Sequence, residues 1–365
     1  MRLTIDAVPL LVRSAGVKNY LFHWIAHLRR LLGDREVALF PALGRLPDLD
    51  HEGSAANPAG TLARQALLYA LNLRPNHVWD WIGPPADIFH ATKLRNPPRR
   101  PRLTATLHDV TCWLMPEMHQ AANVAAEQLF ADCIWKRAAG LIAVSENTRR
   151  DAARVLGLDA AKIRVIYPGV AETFFDAAPA PCARPYVLYV GTLEPRKNVD
   201  RLLDAWSSLP AGLRAEFDLA AAGPQGWHAD RTMARLRSPE MAACGVRYLG
   251  YVPEPQMPGL TAGATIFVYP SLYEGFGFPV AQAMAAGVPV ITSGVSSLPE
   301  IAGGAAALVD PRSVDEIRAA LERLLTSPSA RAQMAQAGRV QAQRFRWESC
   351  ARQSVEFFEQ LLGSA

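Results

Sequence analysis

Paired cysteines are missing from this chain: its five, at 112, 133, 182, 244 and 350, are odd in number, scattered, and never in a CxxC. That excludes a disulfide framework and a cysteine-based zinc site, and it fits ordinary core or surface thiols in a reducing cytoplasm. No run of eighteen apolar residues occurs, so no membrane-spanning helix is expected. The first residues, MRLTIDAVPLLVR, carry Asp6 inside a short apolar run and no small-residue cleavage site after it, which reads as a strand and not as a secretory signal. GxGxxG is also absent, and with it the dinucleotide fingerprint.

What is present is a chain of 365 residues, half of them hydrophobic and a fifth charged. That exceeds the size at which single cores stop growing, so two soluble globular domains are expected. Charge is uneven: residues 1–180 hold 21 Lys and Arg against 17 Asp and Glu, while the remainder is balanced at 17 each. KLRNPPRRPR (93–102) packs Lys93, Arg95, Arg99, Arg100 and Arg102 together without an acid. Such a cluster is either a solvated basic loop or a site for anionic lipid or a phosphorylated substrate. Nucleic acid is not expected, because no aromatic residues interleave the cluster and no binding motif accompanies it.

Strand-like apolar runs alternate with longer amphipathic stretches, the pattern of parallel sheets covered by helices. Strands are expected at 3–10, 36–40, 87–91, 103–109, 141–145 and 163–167, with helices at 18–32, 119–138 and 146–156. PAPCARP (179–185) reads as a linker. The pattern then restarts, with strands at 186–191, 217–223, 246–250, 264–271, 288–293 and 306–310. Capping boxes at Ser297–Glu300 and Ser313–Glu316 mark helix starts. RWESCARQSVEFFEQLL (346–362) is an amphipathic helix with Val355, Phe357 and Leu361 as candidate buried positions. The fold class is therefore α/β with two doubly wound domains, whose ligands belong at the carboxyl ends of the strands.

Three loops carry the chemistry. YVGTLEPRKNVDRLL ends a strand at Gly191 and offers Arg196 and Lys197 before a helix, a site for a multiply charged anion. SAGVKNY (14–20) places Gly16 after the first strand, where it permits close backbone approach to a ligand. YEGFGFPVAQAM (273–284) puts Glu274 in a Gly-Phe-Gly-Phe turn, projecting where it can accept from sugar hydroxyls, and Gln282 one turn into the helix that follows. Pro279 suits that helix's first position and Gly287 its C-terminal end.

Taken together, GTLEPRKN, PSLYEGFGFPVAQAMAAGVPVITSGVSSLPEIAGGAAALVDP, VSENTRRDA and LHD resemble the retaining, GT-B-fold glycosyltransferases of family 4 over nearly the whole chain. The resemblance implies two Rossmann-like domains facing each other across a cleft. An acceptor-binding domain would occupy 1–180 and a nucleotide-sugar-binding domain 181–345, with a C-terminal helix over 346–365 crossing back to the first. In that family a glutamate near the transferred sugar is followed after seven residues by a second that grips the ribose hydroxyls. This chain has Glu274 and Gln282. An amide both accepts and donates, so Gln282 keeps the ribose, with weaker binding than a carboxylate, and loses any proton-transfer work.

The resemblance also implies the rest of the site. The catalytic set is Glu274, His108 beside sugar and acceptor, and Arg196 and Lys197, which hold the diphosphate as it leaves. Donor contacts add Gly16, Gly191, Gly275, Phe276, Gly277 and Gln282, with Gly223, Tyr251 and Val252 near the base. Ala15 stands where the family often has a paired glycine. Transfer is expected on one face of the sugar, through an oxocarbenium-like state in which the leaving phosphate helps deprotonate the acceptor. It needs positive charge and exclusion of water, and neither a metal ion nor a cofactor. Asp48-Leu49-Asp50 resembles the cation-binding pair of the other glycosyltransferase fold, but it lies in a polar segment with no flanking strand, and no metal role is assigned to it.

The donor expected is GDP-mannose, with UDP- and dTDP-sugars as alternatives. The acceptor expected is a lipid-linked or polysaccharide glycan of the cell surface, reached from the cytoplasm, with peripheral contact to anionic membrane as a further expectation. A phosphorylase-like use of the fold would need a cofactor lysine and a longer chain, and the sequence has five lysines. A non-catalytic partner subunit that binds a nucleotide sugar is the alternative that Gln282 keeps open. Glu274→Ala and Lys197→Ala are each expected to abolish transfer and leave the fold intact.

Overall fold

The computed structural model describes residues 1–12, 16–43, 49, 53, 54, 58–73 and 85–363. Six parallel strands, β1 (Leu3–Asp6), β2 (Val37–Phe40), β3 (Ile88–Ala91), β4 (Arg102–Leu107), β5 (Gly140–Ala143) and β6 (Ile163–Val165), form one sheet in the order β2-β1-β3-β4-β5-β6. Six more, β7 (Tyr186–Val190), β8 (Asp218–Ala222), β9 (Val246–Gly250), β10 (Ile266–Tyr269), β11 (Val290–Ser293) and β12 (Ala307–Val309), form a second in the order β12-β11-β10-β7-β8-β9. Strands such as IFVY and VITS are buried along their whole length, as parallel strands covered on both faces must be. The helices used below are α1 (Gly16–Leu32), α2 (Pro58–Leu73), α3 (Ala121–Cys133), α4 (Val199–Ser207), α5 (Phe278–Ala285), α6 (Val314–Thr326) and α7 (Trp347–Gly363). Among the described residues no helix is long and apolar enough to cross a membrane.

All twelve expected strands are present, most of them shorter than the apolar runs that announce them. The first is the clearest case. It stops at Asp6, whose carboxylate accepts from the Val8 amide at 3.1 Å and turns the chain into a short 3-10 helix, Val8–Leu11, that contains Pro9. The other oxygen of Asp6 accepts from the amides of Thr92, Lys93 and Leu94 at 2.9, 2.6 and 2.7 Å. One buried carboxylate thus fixes the loop after β3 beside the end of β1, at the point where the strand order reverses.

The chain divides into two compact units. The first comprises Met1–Pro116, Ala121–Gly169 and Arg346–Ala365. In it α7 packs on α1: the indole of Trp24 donates to Ser354 Oγ at 3.0 Å, and its ring lies 4.8 Å from that of His90. His90 bridges Thr104 and Thr106, each at 3.0 Å, and burial with the nearby His108 lowers its pKa to about 3, so it stays neutral. The inward face of α7 is Trp347, Cys350, Ala351, Ser354, Phe357 and Phe358. Of the three expected positions, Phe357 is buried, while Val355 and Leu361 are partly exposed. The period of 3.6 residues puts Ser354 and Phe358 on the inward stripe instead.

The second unit comprises Glu117–Gln120 and Val170–Phe345. The segment 179–185 lies in it, with the Ala180 amide donating to the Gly259 carbonyl at 2.9 Å. Ser313 caps α6 by accepting from the Glu316 amide at 3.2 Å, as the capping box requires. The strand order reverses at β7, which lies between β10 and β8. The loops after β7 and β10 therefore diverge at the carboxyl end of the sheet, the position where doubly wound sheets take ligands.

Gly169 tests the packing of the first unit. A Cβ there would stand 2.2 Å from the backbone nitrogen of Trp347. Gly169→Ala is expected to lower unfolding free energy by about 1–3 kcal/mol through overpacking, read as a lower urea midpoint. An unchanged midpoint would contradict this packing.

Candidate active site

The loop after β7 closes with a turn of 3-10 helix, Pro195–Lys197, and Asn198 then enters α4 at φ 61, a left-handed conformation that asparagine tolerates. The Asn198 amide donates to the carbonyls of Pro270 and Pro311 at 2.9 and 2.6 Å. The Leu272 amide donates to the Arg196 carbonyl at 2.8 Å. These bonds latch the β7 loop to the β10 loop and bring Arg196, Lys197 and Glu274 together.

Glu274 is the centre. One carboxylate oxygen accepts from Lys197 Nζ at 2.6 Å, Ser271 Oγ at 2.6 Å and the Tyr269 hydroxyl at 2.9 Å. The other accepts from the Arg196 guanidinium at 3.2 Å. Arg196 also donates to the Tyr273 carbonyl at 2.7 Å and to Glu194 at 2.8 Å. Two cations and two carboxylates thus share one site. Burial alone would raise the Glu274 carboxyl, but the charges of Lys197 and Arg196, with hydrogen bonds from Lys197 and Ser271, overcome it and lower the pKa to about 2. Burial and the neighbouring Glu274 charge push the Tyr269 phenol up, so it remains a donor.

Glu274 does not project into solvent as its glycine-rich surroundings suggest: only 7% of it is exposed. The turn is held from inside. Phe276 is buried, its ring 5.1 Å from Phe278 and 5.4 Å from Phe345. Ser296 accepts from the Glu274 amide at 3.0 Å, and Ser297 Oγ donates to the Glu274 and Phe276 carbonyls, both at 2.9 Å. Ser297 is therefore not the helix cap that its spacing to Glu300 suggests. It makes no capping bond, because its hydroxyl serves the Glu274 turn.

The remaining predicted residues fall into two groups. In the second unit Gly275 and Gly277 lie in the same turn, with Gly277 at φ 101. Gln282 is half-buried on α5, and its side chain makes no hydrogen bond to the described residues. Gly191 and Gly223 approach so closely that a Cβ on Gly223 would lie 2.0 Å from the Gly191 carbonyl oxygen, reason enough for a glycine at 223. Tyr251 and Val252 follow β9, both half-buried. In the first unit Gly16 opens α1, and a Cβ there would meet no described atom within 4 Å. His108 follows β4, its ring 5.0 Å from Tyr20, and burial lowers its pKa to about 4. Ala15, Asp48 and Asp50 lie outside the described residues. Among the described residues no three His, Cys, Asp or Glu side chains cluster as a metal site would require.

The basic loop is tied to two helices. Lys93 meets Glu127 of α3 at 2.6 Å, and the Arg95 amide donates to Asn72 of α2 at 2.9 Å, while Arg99 and Arg100 are exposed.

Two family profiles match the chain: "Glycosyltransferase Family 4" over residues 14–174 and "Glycosyl transferases group 1" over 170–341. The O-antigen chain mannosyltransferase B of Escherichia coli is 31% identical, across 99% of this chain and 100% of its own. The chain belongs to the family 4 glycosyltransferases. Solved structures agree on the GT-B fold. Sucrose-phosphate synthase of Thermosynechococcus elongatus superposes with a TM-score of 0.76 at 20% identity, covering 100% of this chain and 99% of that one. HepE of Anabaena, solved with UDP-glucose, gives 0.68 at 19% identity over 100% and 99%. As a family 4 member this chain departs from the paired-glutamate motif at Gln282. Sequence reasoning missed Tyr269, Ser271, Ser296 and Ser297, which bond Glu274, and Glu194 and Asn198, which hold the loop of its two cations. All but Tyr269, which ends β10, stand within the quoted motifs, but only their side-chain contacts reveal what they do.

The burial of Glu274 changes what its substitution should do. Glu274→Ala leaves buried Lys197 without a counter-charge and Arg196 with Glu194 alone, so it is expected to cost about 3–5 kcal/mol of stability and not to leave the fold intact. Because the folded pKa, about 2, lies below the ordinary 4.5, this stabilisation is full above pH 4.5 and disappears as pH falls toward 2. Urea unfolding from pH 7 to 2.5 should show the gap between wild type and Glu274→Gln closing as the solution becomes acidic. A gap independent of pH would contradict the assignment.

Proposed function

We propose that this glycosyltransferase moves a hexose, mannose from GDP-mannose before any UDP- or dTDP-sugar, to a hydroxyl of a lipid-linked or polysaccharide acceptor. It would do so with retention and without a metal ion or cofactor. The observation that carries the proposal is the pairing of Arg196 and Lys197 with Glu274 at the mouth of the β7–β10 switch point. There two fixed cations can take the charge of a departing diphosphate. Similarity to a mannosyltransferase over the whole chain supports the sugar, and a fold neighbour holding UDP-glucose supports a nucleotide-sugar donor.

In this reading the second unit holds the donor. Lys197 and Arg196 grip the diphosphate, Gly275, Phe276 and Gly277 present the turn to the sugar, and Gln282 bonds the ribose. Gly191, Gly223, Tyr251 and Val252 serve the nucleoside. The first unit is assigned the acceptor, with Gly16 and His108 as its contributions. A neutral imidazole at His108 orients a hydroxyl by hydrogen bonding and does not act as an acid at neutral pH. Glu274, ionised, holds Lys197 and Arg196 in place and stabilises positive charge developing on the sugar. The leaving phosphate takes the acceptor's proton.

The same reading puts the enzyme at the cytoplasmic face of an anionic membrane. Helix α2 leaves Leu62 and Tyr69 each 69% exposed, and it is joined through Asn72 to the loop bearing Arg99 and Arg100, so apolar and basic groups stand on neighbouring elements. A non-catalytic binding subunit is the second reading, favoured by Gln282 alone.

A panel of nucleotide sugars should raise the melting temperature most with GDP-mannose, and Lys197→Ala should remove that rise. Wild-type protein should release GDP in an acceptor-dependent way with EDTA present. Binding without release would favour the second reading, and no stabilisation by any donor would defeat the first. Leu62→Asp with Tyr69→Asp should cut sedimentation with phosphatidylglycerol vesicles several-fold, and undiminished sedimentation would remove the membrane contact.

A further inference from the structure

A site that grips a dianion gains nothing obvious from a second buried acid, yet Glu194 is 6% exposed and bonds the Arg196 guanidinium at 2.8 Å. With Glu274 alone, Arg196 and Lys197 would leave one positive charge in excess. With Glu194 as well, the four side chains balance. Glu194 also fixes geometry: it takes Nη2 of Arg196, while the Tyr273 carbonyl and Glu274 take Nη1, so the guanidinium plane is held from two sides. The carbonyl of Glu194 accepts from the Lys197 amide at 3.0 Å, which places the acid and both cations on one rigid turn.

We propose that Glu194 is a positioning residue that acts through Arg196 to orient the guanidinium and to weaken the grip on diphosphate, so that the spent nucleotide can leave. The proposal rests on the reading that the diphosphate lies on Arg196 and Lys197. A single buried charge a few ångströms from a bound anion is sufficient to change its affinity by about tenfold at the effective dielectric of such a site. When release limits turnover, that change appears in kcat as well as in binding.

The test is calorimetric titration of GDP and of inorganic pyrophosphate into wild type, Glu194→Gln, Glu194→Asp and Lys197→Ala. Glu194→Gln should bind both probes about tenfold more tightly and show lower kcat with lower KM. Glu194→Asp, which keeps the charge, should stay close to wild-type affinity. Should the glutamine variant not fold, Glu194→Ala gives the same reading. Unchanged or weaker probe binding in the neutral variant, with only its melting temperature lowered, would reduce Glu194 to a structural group and overturn the proposal. Lys197→Ala separates the two claims. If it binds pyrophosphate as well as wild type, the diphosphate reading itself fails. If it loses pyrophosphate while Glu194→Gln is unchanged, only the role of Glu194 fails.

Discussion

Lys197, Arg196, Tyr269 and Ser271 all donate to one carboxylate, that of Glu274, in a space from which water is largely excluded. An ion left alone there would be costly, and so would either cation without its acid. The network therefore has to form as a unit, and its members come from two loops almost eighty residues apart in the chain, about 3 Å apart in space. Two facts follow from this constraint. The loops must be latched before the charges can meet, which is the work of Asn198 and the Arg196 carbonyl. The turn carrying Glu274 must also be rigid, which is the work of Phe276, Ser296 and Ser297.

The sheet explains why the charges meet where they do. β7 is flanked by β10 and β8, so the chain leaves β7 and β10 in opposite senses and opens a gap between their following loops. A helix such as α4 starting at that gap adds the partial positive charge of its first turn to the two side chains. The glycine at 223 belongs to the same architecture, because at the end of β8 a Cβ would strike the Gly191 carbonyl that follows β7. In the other sheet Asp6 performs a comparable task, tying the loop after β3 to the end of β1 with three amide hydrogen bonds.

Much of this was legible in the sequence. Apolar runs of four to eight residues give all the strands, because parallel strands covered by helices are mostly apolar on both faces. The loops with Arg196, Lys197 and Glu274 could be named because glycine, proline and charge interrupt those runs at the strand ends. What could not be read was the environment of each charge. Glu274 between a tyrosine and two glycines looks exposed, since sequence spacing carries no record of Phe345 packing on Phe276 from far along the chain. Ser297 looks like a cap because the capping pattern is local, whereas its partners, the carbonyls of Glu274 and Phe276, are distant. The role of Glu194 is hidden for the same reason: nothing local to an acid beside two cations records its burial.

The central claim is that the paired cations held by Glu274 are the seat of a diphosphate leaving group. The measurement that addresses it most directly is a crystal structure of the chain with GDP-mannose bound. The account predicts phosphate oxygens within about 3 Å of Lys197 Nζ and the Arg196 guanidinium, with the hexose toward the Glu274 turn. A diphosphate bound elsewhere, with the Lys197–Glu274 pair untouched, would contradict it.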